Sequence, residues 1–162
     1  MTTTLITGAN KGLGHETARR LTAAGHTVYV GARNVERGSA AAAALGARFV
    51  QLDVTDDASV AAAAATIESH GGLDVLINNA GIEVRSPEGM RGNALANCTV
   101  SMLTVVLERI NAVEPGYTAT DLNRHEGAQT VEQGVEIIAR MAQPGPDGPT
   151  GGYFDAAGPL PW

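Results

Sequence analysis

Cysteine, lysine, aromatic side chains and long apolar runs are all scarce in this chain of 162 residues. The one cysteine, Cys98, excludes an internal disulfide and fits a reducing compartment, so we expect a cytoplasmic protein. No apolar run approaches the roughly 20 residues that span a bilayer, and no basic segment precedes the first apolar stretch. We therefore expect neither a membrane span nor a signal peptide. Cysteine and histidine form no cluster at metal-ligand spacing, so no metal is expected.

Positive charge is also in short supply, because the formal net charge is −6. Nucleic acids and anionic membranes are therefore not expected as partners. The chain has a single lysine, Lys11, and its other strong bases are arginines. The length predicts one domain, residues 1–162, that is large enough to bury a core.

Short apolar segments alternate with helical patterns along most of the chain. We expect strands ending near residue 6 and over 27–30, 48–52, 73–77, 110–113 and 153–154, and helices over 12–24, 34–45, 57–69, 94–108 and 131–142. Residues 82–93 lack periodicity and predict a loop. The alternation predicts an α/β fold, a doubly wound parallel Rossmann-like sheet of about six strands in three αβα layers.

A glycine-rich turn follows the first predicted strand and leads into the first predicted helix. Its residues include Gly8, Asn10, Lys11, Gly12, Leu13 and Gly14. Glycine lets a phosphate approach the main chain because no Cβ intervenes, and it permits positive φ. A helix that begins near Gly12 directs its free N–H groups and its positive dipole end at such a phosphate. The turn predicts a phosphate site, with an ordinary strand-to-helix loop as the alternative.

The spacing Thr7-Gly8-x-x-x-Gly12-x-Gly14 resembles the cofactor loop of the short-chain dehydrogenase/reductase family. Three further segments match that family in order: Leu52-Asp53-Val54, Asn78-Asn79-Ala80-Gly81 and Pro115-Gly116-Tyr117-Thr118-Ala119-Thr120. The resemblance covers residues 1–81 and roughly 98–162. It implies a domain that binds a nicotinamide dinucleotide.

The resemblance also implies which residues bind each part of that cofactor. Asp53 and Val54 match the adenine contacts, and Thr120 matches the residue that holds the nicotinamide carboxamide. The remaining matched positions are Asn79, Ala80 and Gly81 on the sugar side, and Pro115, Gly116 and Thr118 beside the nicotinamide. For the asparagines, a structural role in tying strands together is the alternative.

The end of the second predicted strand indicates which dinucleotide is preferred. An acidic residue there accepts a hydrogen bond from the ribose 2′-hydroxyl, whereas a base suits a 2′-phosphate. This chain has Arg33 at that position, and Lys11 adds a second cation in reach of the same phosphate. The pair predicts NADP(H), with a solvated surface charge as the alternative for Arg33.

The proton-donating apparatus of the family is missing from this sequence. The resemblance calls for a tyrosine whose pKa is lowered by a lysine four residues later, and none of Tyr29, Tyr117 and Tyr153 is followed by such a lysine. The interval from Ile82 to Glu114 is also much shorter than in the family. We therefore interpret the chain as an internally truncated member, in which the strand at 110–113 docks beside the strand at 73–77.

Few residues could replace the missing proton donor. Tyr117 lies in the turn that would face the nicotinamide and is the candidate catalytic residue. Glu83, Glu88 and His125 are weaker alternatives, Ser86 and Ser101 lack an activating base, and Cys98 fits a core position. The truncation also removes a helix of the family's usual dimer bundle, so any homo-oligomer is expected to use a different interface.

Three functions are compatible with these features. The first is an NADP(H)-dependent enzyme that acts on a small carbonyl or polyketide-like substrate with a non-standard proton donor. The second is a non-redox isomerase, cyclase or dehydratase on the same scaffold. The third is a catalytically inactive module that binds NADP(H). A fold places a cofactor without proving a reaction, so the sequence leaves all three open.

Overall fold

A computed structural model describes residues 1–83, 95–96, 111–143, 145 and 147–161. In chain order its elements are β1 (Thr3–Thr7), α1 (Gly12–Ala23), β2 (Thr27–Ala32), α2 (Val35–Leu45), β3 (Arg48–Gln51), α3 (Asp57–Glu68), β4 (Val75–Ile77), β5 (Ile82–Glu83), β6 (Leu95–Ala96), β7 (Ala112–Val113), a 3₁₀ turn (Asp121–Asn123), α4 (Val131–Met141), β8 (Tyr153–Phe154) and β9 (Pro159–Leu160).

The first four strands form a parallel sheet in the order β3-β2-β1-β4. β1 lies between β2 and β4 and pairs with both along its length. Because all four strands run in one direction, their carboxyl ends meet at a single edge of the sheet. The glycine turn follows β1 at that edge. The strand order reverses between β1 and β4, and open α/β sheets bind their ligands at such a topological switch point.

The core lies on both faces of this sheet, because successive residues of a strand point to opposite sides. Ile6 of β1 packs with Ala18 and Leu21 of α1 on one face. Leu5 packs with Ala63 and Ile67 of α3 on the other. The predicted Rossmann-like fold with three αβα layers and a parallel central sheet is confirmed.

The sheet is smaller than the sequence predicts. β7, β8 and β9 form a separate three-stranded sheet, and within the described residues β4 pairs with β1 alone. The expected docking of the strand at 110–113 beside the strand at 73–77 is therefore wrong. In the described residues β7 is only two residues long, and the hydrogen bonds that it makes go to β8: the amides of Ala112 and Glu114 donate to the carbonyls of Gly152 and Phe154.

Two other local expectations also differ from the structure. Residues 82–83 begin the predicted loop but form β5, which pairs antiparallel with β6 at residues 95–96, near the start of the predicted fourth helix. Strand pairing therefore overrides the weak helix propensity there. The rest of 82–93 and of 94–108 lies outside the described residues. No helix in the described part of the chain has the length and apolarity needed to cross a membrane.

Candidate functional site at the glycine turn

The glycine turn is packed tightly against the segment that follows β4. A Cβ on Gly8 would lie 3.0 Å from the Cα of Ala80, and φ at Gly8 is +66°. A Cβ on Gly14 would collide with the side-chain amide of Asn79. Gly8 and Gly14 are therefore required for packing between two predicted motifs, a role that the sequence analysis did not assign to them.

Hydrogen bonds join the same two motifs. Thr7 Oγ1 accepts the backbone amides of Asn79 and Ala80 at 3.0 and 2.9 Å, and Asn79 Nδ2 donates to the carbonyl of Thr7 at 2.9 Å. Thr7 is only 1% exposed. Asn79 thus ties the segment after β4 to the end of β1, which is the structural role given above as the alternative to cofactor binding. Asn78, in contrast, is exposed.

The N-terminus of α1 differs from those of the other described α-helices. Asn34, Asp56 and Thr130 cap α2, α3 and α4 by accepting backbone N–H groups. α1 begins after Lys11, which makes no capping hydrogen bond, and its first turn holds no acidic residue. Among the described residues, the first amides of α1 therefore lack a side-chain acceptor and are available to a phosphate.

Two glycines of the predicted site are not packed tightly against the described residues. Gly12 has φ +60°, and a Cβ there would find its nearest described neighbour, Thr120 Cγ2, at 3.9 Å. A Cβ on Gly81 would meet no described atom within 4 Å. The positive φ favours glycine at position 12. Packing against the described residues does not explain Gly81, whereas a ligand lying over the turn would occupy the space beside it. This part of the site fits a dinucleotide.

Asp53 and Arg33 lie near each other at the carboxyl ends of β3 and β2. Asp53 Oδ1 accepts the amide and the hydroxyl of Thr55, at 3.0 and 2.7 Å. These hydrogen bonds lower the pKa of Asp53, with a smaller contribution from the charge of Arg33. Arg33 is exposed. Val54 is partly buried against the α3 side of the core, so its side chain supports the loop that carries Asp53.

The Pro115–Thr120 segment reaches the front of the glycine turn. Thr118 is 5% exposed, and its hydroxyl donates to the carbonyl of Gly116 at 3.2 Å. The side-chain amide of Gln129 also holds this turn: its Nε2 donates to Thr118 Oγ1 at 2.9 Å and to the carbonyl of Pro115. The Thr118 side chain thus belongs to the fold, and Gln129 is a supporting residue that no local motif indicates. Thr120 lies opposite Gly12, at the front of the glycine turn.

Lys11 has a partner that the sequence analysis did not foresee. Its Nζ donates to Asp121 Oδ2 at 3.1 Å, and His125 Nε2 lies 3.1 Å from Asp121 Oδ1. The hydrogen bond from Lys11 is the main cause of the lowered pKa of Asp121. Lys11 and Arg33 therefore have separate acidic neighbours in the structure, Asp121 and Asp53.

Tyr117, the candidate proton donor, is 57% exposed, and none of the described residues bonds its hydroxyl. A different tyrosine has an ionisable partner: Tyr153 donates to Glu114 Oε2 at 2.7 Å, which raises the pKa of Tyr153. A raised pKa makes that hydroxyl a weaker acid, the opposite of what the family's tyrosine requires. Glu88, Ser86, Ser101, Cys98 and the side chain of Glu83 lie outside the described part of the chain.

Two predicted positions of the turn remain to be placed. Asn10 and Leu13 are partly buried beside the turn, and a Cβ on Gly134 of α4 would lie 3.0 Å from Leu13. An open depression of about 360 Å³ lies elsewhere, between β3 and α3, and none of the predicted site residues lines it. Across the described residues, no group of acidic, histidine or cysteine side chains could hold a metal ion.

Comparison with known proteins agrees with this geometry. A family model described as short chain dehydrogenase matches residues 2–94. (−)-Isopiperitenone reductase of Mentha piperita is 48% identical over 88 residues, covering 48% of this chain and 28% of the relative. (+)-Neomenthol dehydrogenase of Capsicum annuum is 34% identical over 136 residues, covering 78% of this chain and 40% of the relative. The matches thus span less than half the length of either relative.

A solved structure described as a short chain dehydrogenase/reductase family protein superposes with a TM-score of 0.77. The superposition covers 95% of this chain and 94% of that chain, at 24% identity. At this identity the likeness is one of fold.

Proposed function

Because the chain belongs to the short chain dehydrogenase family, we propose that it binds NADP(H) over the glycine turn and acts on a small carbonyl or polyketide-like substrate. The observation that carries this proposal is the open N-terminus of α1. Its first amides lack a side-chain cap among the described residues, and the adjoining Gly12 leaves room above the main chain. A phosphate placed there would gain both hydrogen bonds and the helix dipole.

Each part of the dinucleotide has proposed partners in the described residues. The α1 amides at residues 12–14 would bind the pyrophosphate, and Arg33 would pair with the 2′-phosphate. Asp53, whose Oδ1 is held by Thr55, would present its other oxygen to the adenine amine. The main chain at 79–81 would line the sugar, and Thr120 would hold the carboxamide. When bound, a nicotinamide dinucleotide supplies or accepts a hydride.

Tyr117 is the proposed proton donor for the carbonyl oxygen. Tyr117 is exposed and directly follows Pro115 and Gly116 in the sequence. It lies three residues before Thr120, which faces Gly12. No lysine is available to lower its pKa, since the single lysine is Lys11. We therefore propose a weaker, non-standard acid in place of the family's tyrosine and lysine, in a member with an internal truncation between residues 82 and 114.

A non-redox isomerase, cyclase or dehydratase is the second candidate. The observation that favours it is the pairing of Lys11 with Asp121, which leaves no lysine to activate a tyrosine. A catalytically inactive NADP(H)-binding module is a third, but Thr120 facing the glycine turn argues against it, because a phosphate sensor needs no carboxamide contact. We also propose a single cytoplasmic domain whose homo-oligomers, if formed, avoid the family's helix bundle.

A binding titration followed by an activity assay tests these proposals. NADPH fluorescence should change saturably when the protein is added, and a panel of small ketones should then cause loss of the reduced-nicotinamide absorbance. Binding with substrate conversion but without NADPH oxidation would favour the non-redox enzyme. Binding without any conversion would favour the inactive module, and absence of NADPH binding would contradict the proposal as a whole.

A further inference from the structure

We propose that Asp121 determines how tightly the glycine turn binds a phosphate-bearing dinucleotide, because its carboxylate occupies Lys11 and must be displaced by the phosphate. The inference rests on the proposed function, since it concerns the affinity of the same site. Asp121 lies outside the four matched motifs, directly after the last of them.

The ion pair joins the two halves of the proposed site. Lys11 directly precedes Gly12, and Asp121 directly follows Thr120, which faces Gly12. The 3.1 Å contact from Lys11 Nζ to Asp121 Oδ2 therefore closes a bridge in front of the first turn of α1. Because Lys11 directly precedes α1, the pair brings a negative charge to the lysine beside the proposed phosphate site.

The local backbone holds Asp121 at this position. The amide of Thr120 donates to Asn123 Oδ1 at 3.0 Å, and the amide of His125 donates to the carbonyl of Thr120 at 2.9 Å. Arg124 and His125 have φ of +56° and +62°, a backbone conformation that residues other than glycine rarely adopt. The tight turn brings His125 Nε2 to 3.1 Å from Asp121 Oδ1, so two basic groups flank one carboxylate.

Lys11 and Asp121 are 59% and 57% exposed. An exposed ion pair is weak, so an incoming phosphate can replace Asp121 on Lys11 at small cost. The same exchange lowers affinity relative to a turn with a free lysine, and it adds repulsion between the carboxylate and the phosphate. Removing the charge of Asp121 should therefore lower the dissociation constant about two- to fivefold.

The experiment compares NADPH and NADH dissociation constants, by fluorescence titration, for five proteins: wild type, Asp121→Asn, Lys11→Met, the double variant and Glu68→Gln. Glu68 is exposed at the far end of α3, so its substitution removes one negative charge away from the turn. We expect Asp121→Asn to bind NADPH about two- to fivefold more tightly. The gain should vanish in the Lys11→Met background, and Glu68→Gln should bind like wild type.

The two cofactors identify the phosphate that Lys11 meets. A gain for both supports the inference with the pyrophosphate as the competitor, and a gain for NADPH alone supports it with the 2′-phosphate. Unchanged or weaker binding by Asp121→Asn, or a gain that persists with Lys11→Met, would overturn it while leaving the proposed function intact. If neither wild type nor Asp121→Asn binds a dinucleotide, the proposed function fails and the inference fails with it.

Discussion

Thr7 and Asn79 are hydrogen bonded to each other twice, although 72 positions separate them in the chain. Thr7 Oγ1 accepts the Asn79 amide at 3.0 Å, and Asn79 Nδ2 donates to the Thr7 carbonyl at 2.9 Å. Thr7 begins the glycine turn, and Asn79 follows β4. The two bonds therefore fix the position of the turn relative to the Asn78–Gly81 motif.

Replacing Thr7 by valine should destabilise the protein while preserving the shape of the side chain. The partly buried amides of Asn79 and Ala80 would lose their shared acceptor, at a cost of about 1–3 kcal/mol. Urea denaturation measures the free energy of unfolding. Thr7→Ser retains the hydroxyl and is the matched control, which should lose less stability. A Thr7→Val variant as stable as wild type would contradict the role of the hydroxyl.

Gly81→Ala should separate stability from binding. A Cβ there meets no described atom within 4 Å, so the melting temperature should be unchanged or slightly higher. NADPH should bind about tenfold more weakly if the dinucleotide occupies that space. Unchanged affinity would place the ligand elsewhere.

Gly14→Ala, unlike Gly81→Ala, should destabilise the protein. Its Cβ would collide with the Asn79 amide and lie 3.0 Å from Ala9 Cα, so we expect a loss of about 1–3 kcal/mol of stability. Thermal unfolding checks this expectation, and a variant as stable as wild type would contradict the packing role of Gly14.

The contrast between these glycines shows how far sequence reasoning reaches. The strand, turn and helix around Gly8–Gly14 follow from local patterns, and α1 begins at the expected residue. The separate roles of the glycines do not follow, because they depend on contacts with Asn79 and Ala80 from a distant segment. The spacing of the turn predicts the site, and the packing explains why two of its glycines are needed.

Longer-range polar contacts lie beyond such patterns for the same reason. Lys11 and Asp121 are 110 positions apart, and Tyr153 reaches Glu114 across 39. The division of the sheet is a further case, since the 110–113 segment is a strand by local criteria whether its partner is β4 or β8. Local residues specify the strand, whereas its neighbour, β8, lies in a distant part of the chain.

Arg33→Ala should weaken NADPH binding about tenfold and leave NADH binding nearly unchanged, because only NADPH carries the 2′-phosphate. Titration of both cofactors measures the change in preference. Arg19, an exposed arginine on α1 paired with Glu16, supplies the control variant Arg19→Ala. Equal losses for the two cofactors would remove Arg33 from the 2′-phosphate site.

Stability should fall as the pH drops below neutrality. Burial lowers the pKa of His26 from its ordinary 6.5, with Asp74 acting in the opposite direction. The unfolded chain therefore binds a proton before the folded one, and stability is lost as the pH falls from about 6.5 towards the lowered pKa. Carboxylates with a lowered pKa, such as Asp121, lose their contribution only at more acidic pH.

Melting temperatures at pH 7.5 and 5.5 check this pH dependence. The drop should be smaller in His26→Gln, whereas His15→Gln should retain it. An undiminished drop in His26→Gln would assign the effect to another group.

Tyr117→Phe should reduce turnover of a carbonyl substrate by about 10²-fold, the lower end of what a positioned proton donor contributes. NADPH affinity should be retained, since the hydroxyl is exposed and unbonded within the described residues. Tyr153→Phe is the matched control, because the pKa of Tyr153 is raised and its loss should leave turnover nearly unchanged. Unaltered turnover in Tyr117→Phe would require another donor.

Backbone amide NMR during an NADPH titration tests the central claim most directly, since it reports where the cofactor binds. We predict saturable shifts in the amides of Gly12, Leu13 and Gly14 at the start of α1, and smaller changes in α3 near Glu68. Saturating NADPH that leaves the α1 amides unshifted would contradict the account.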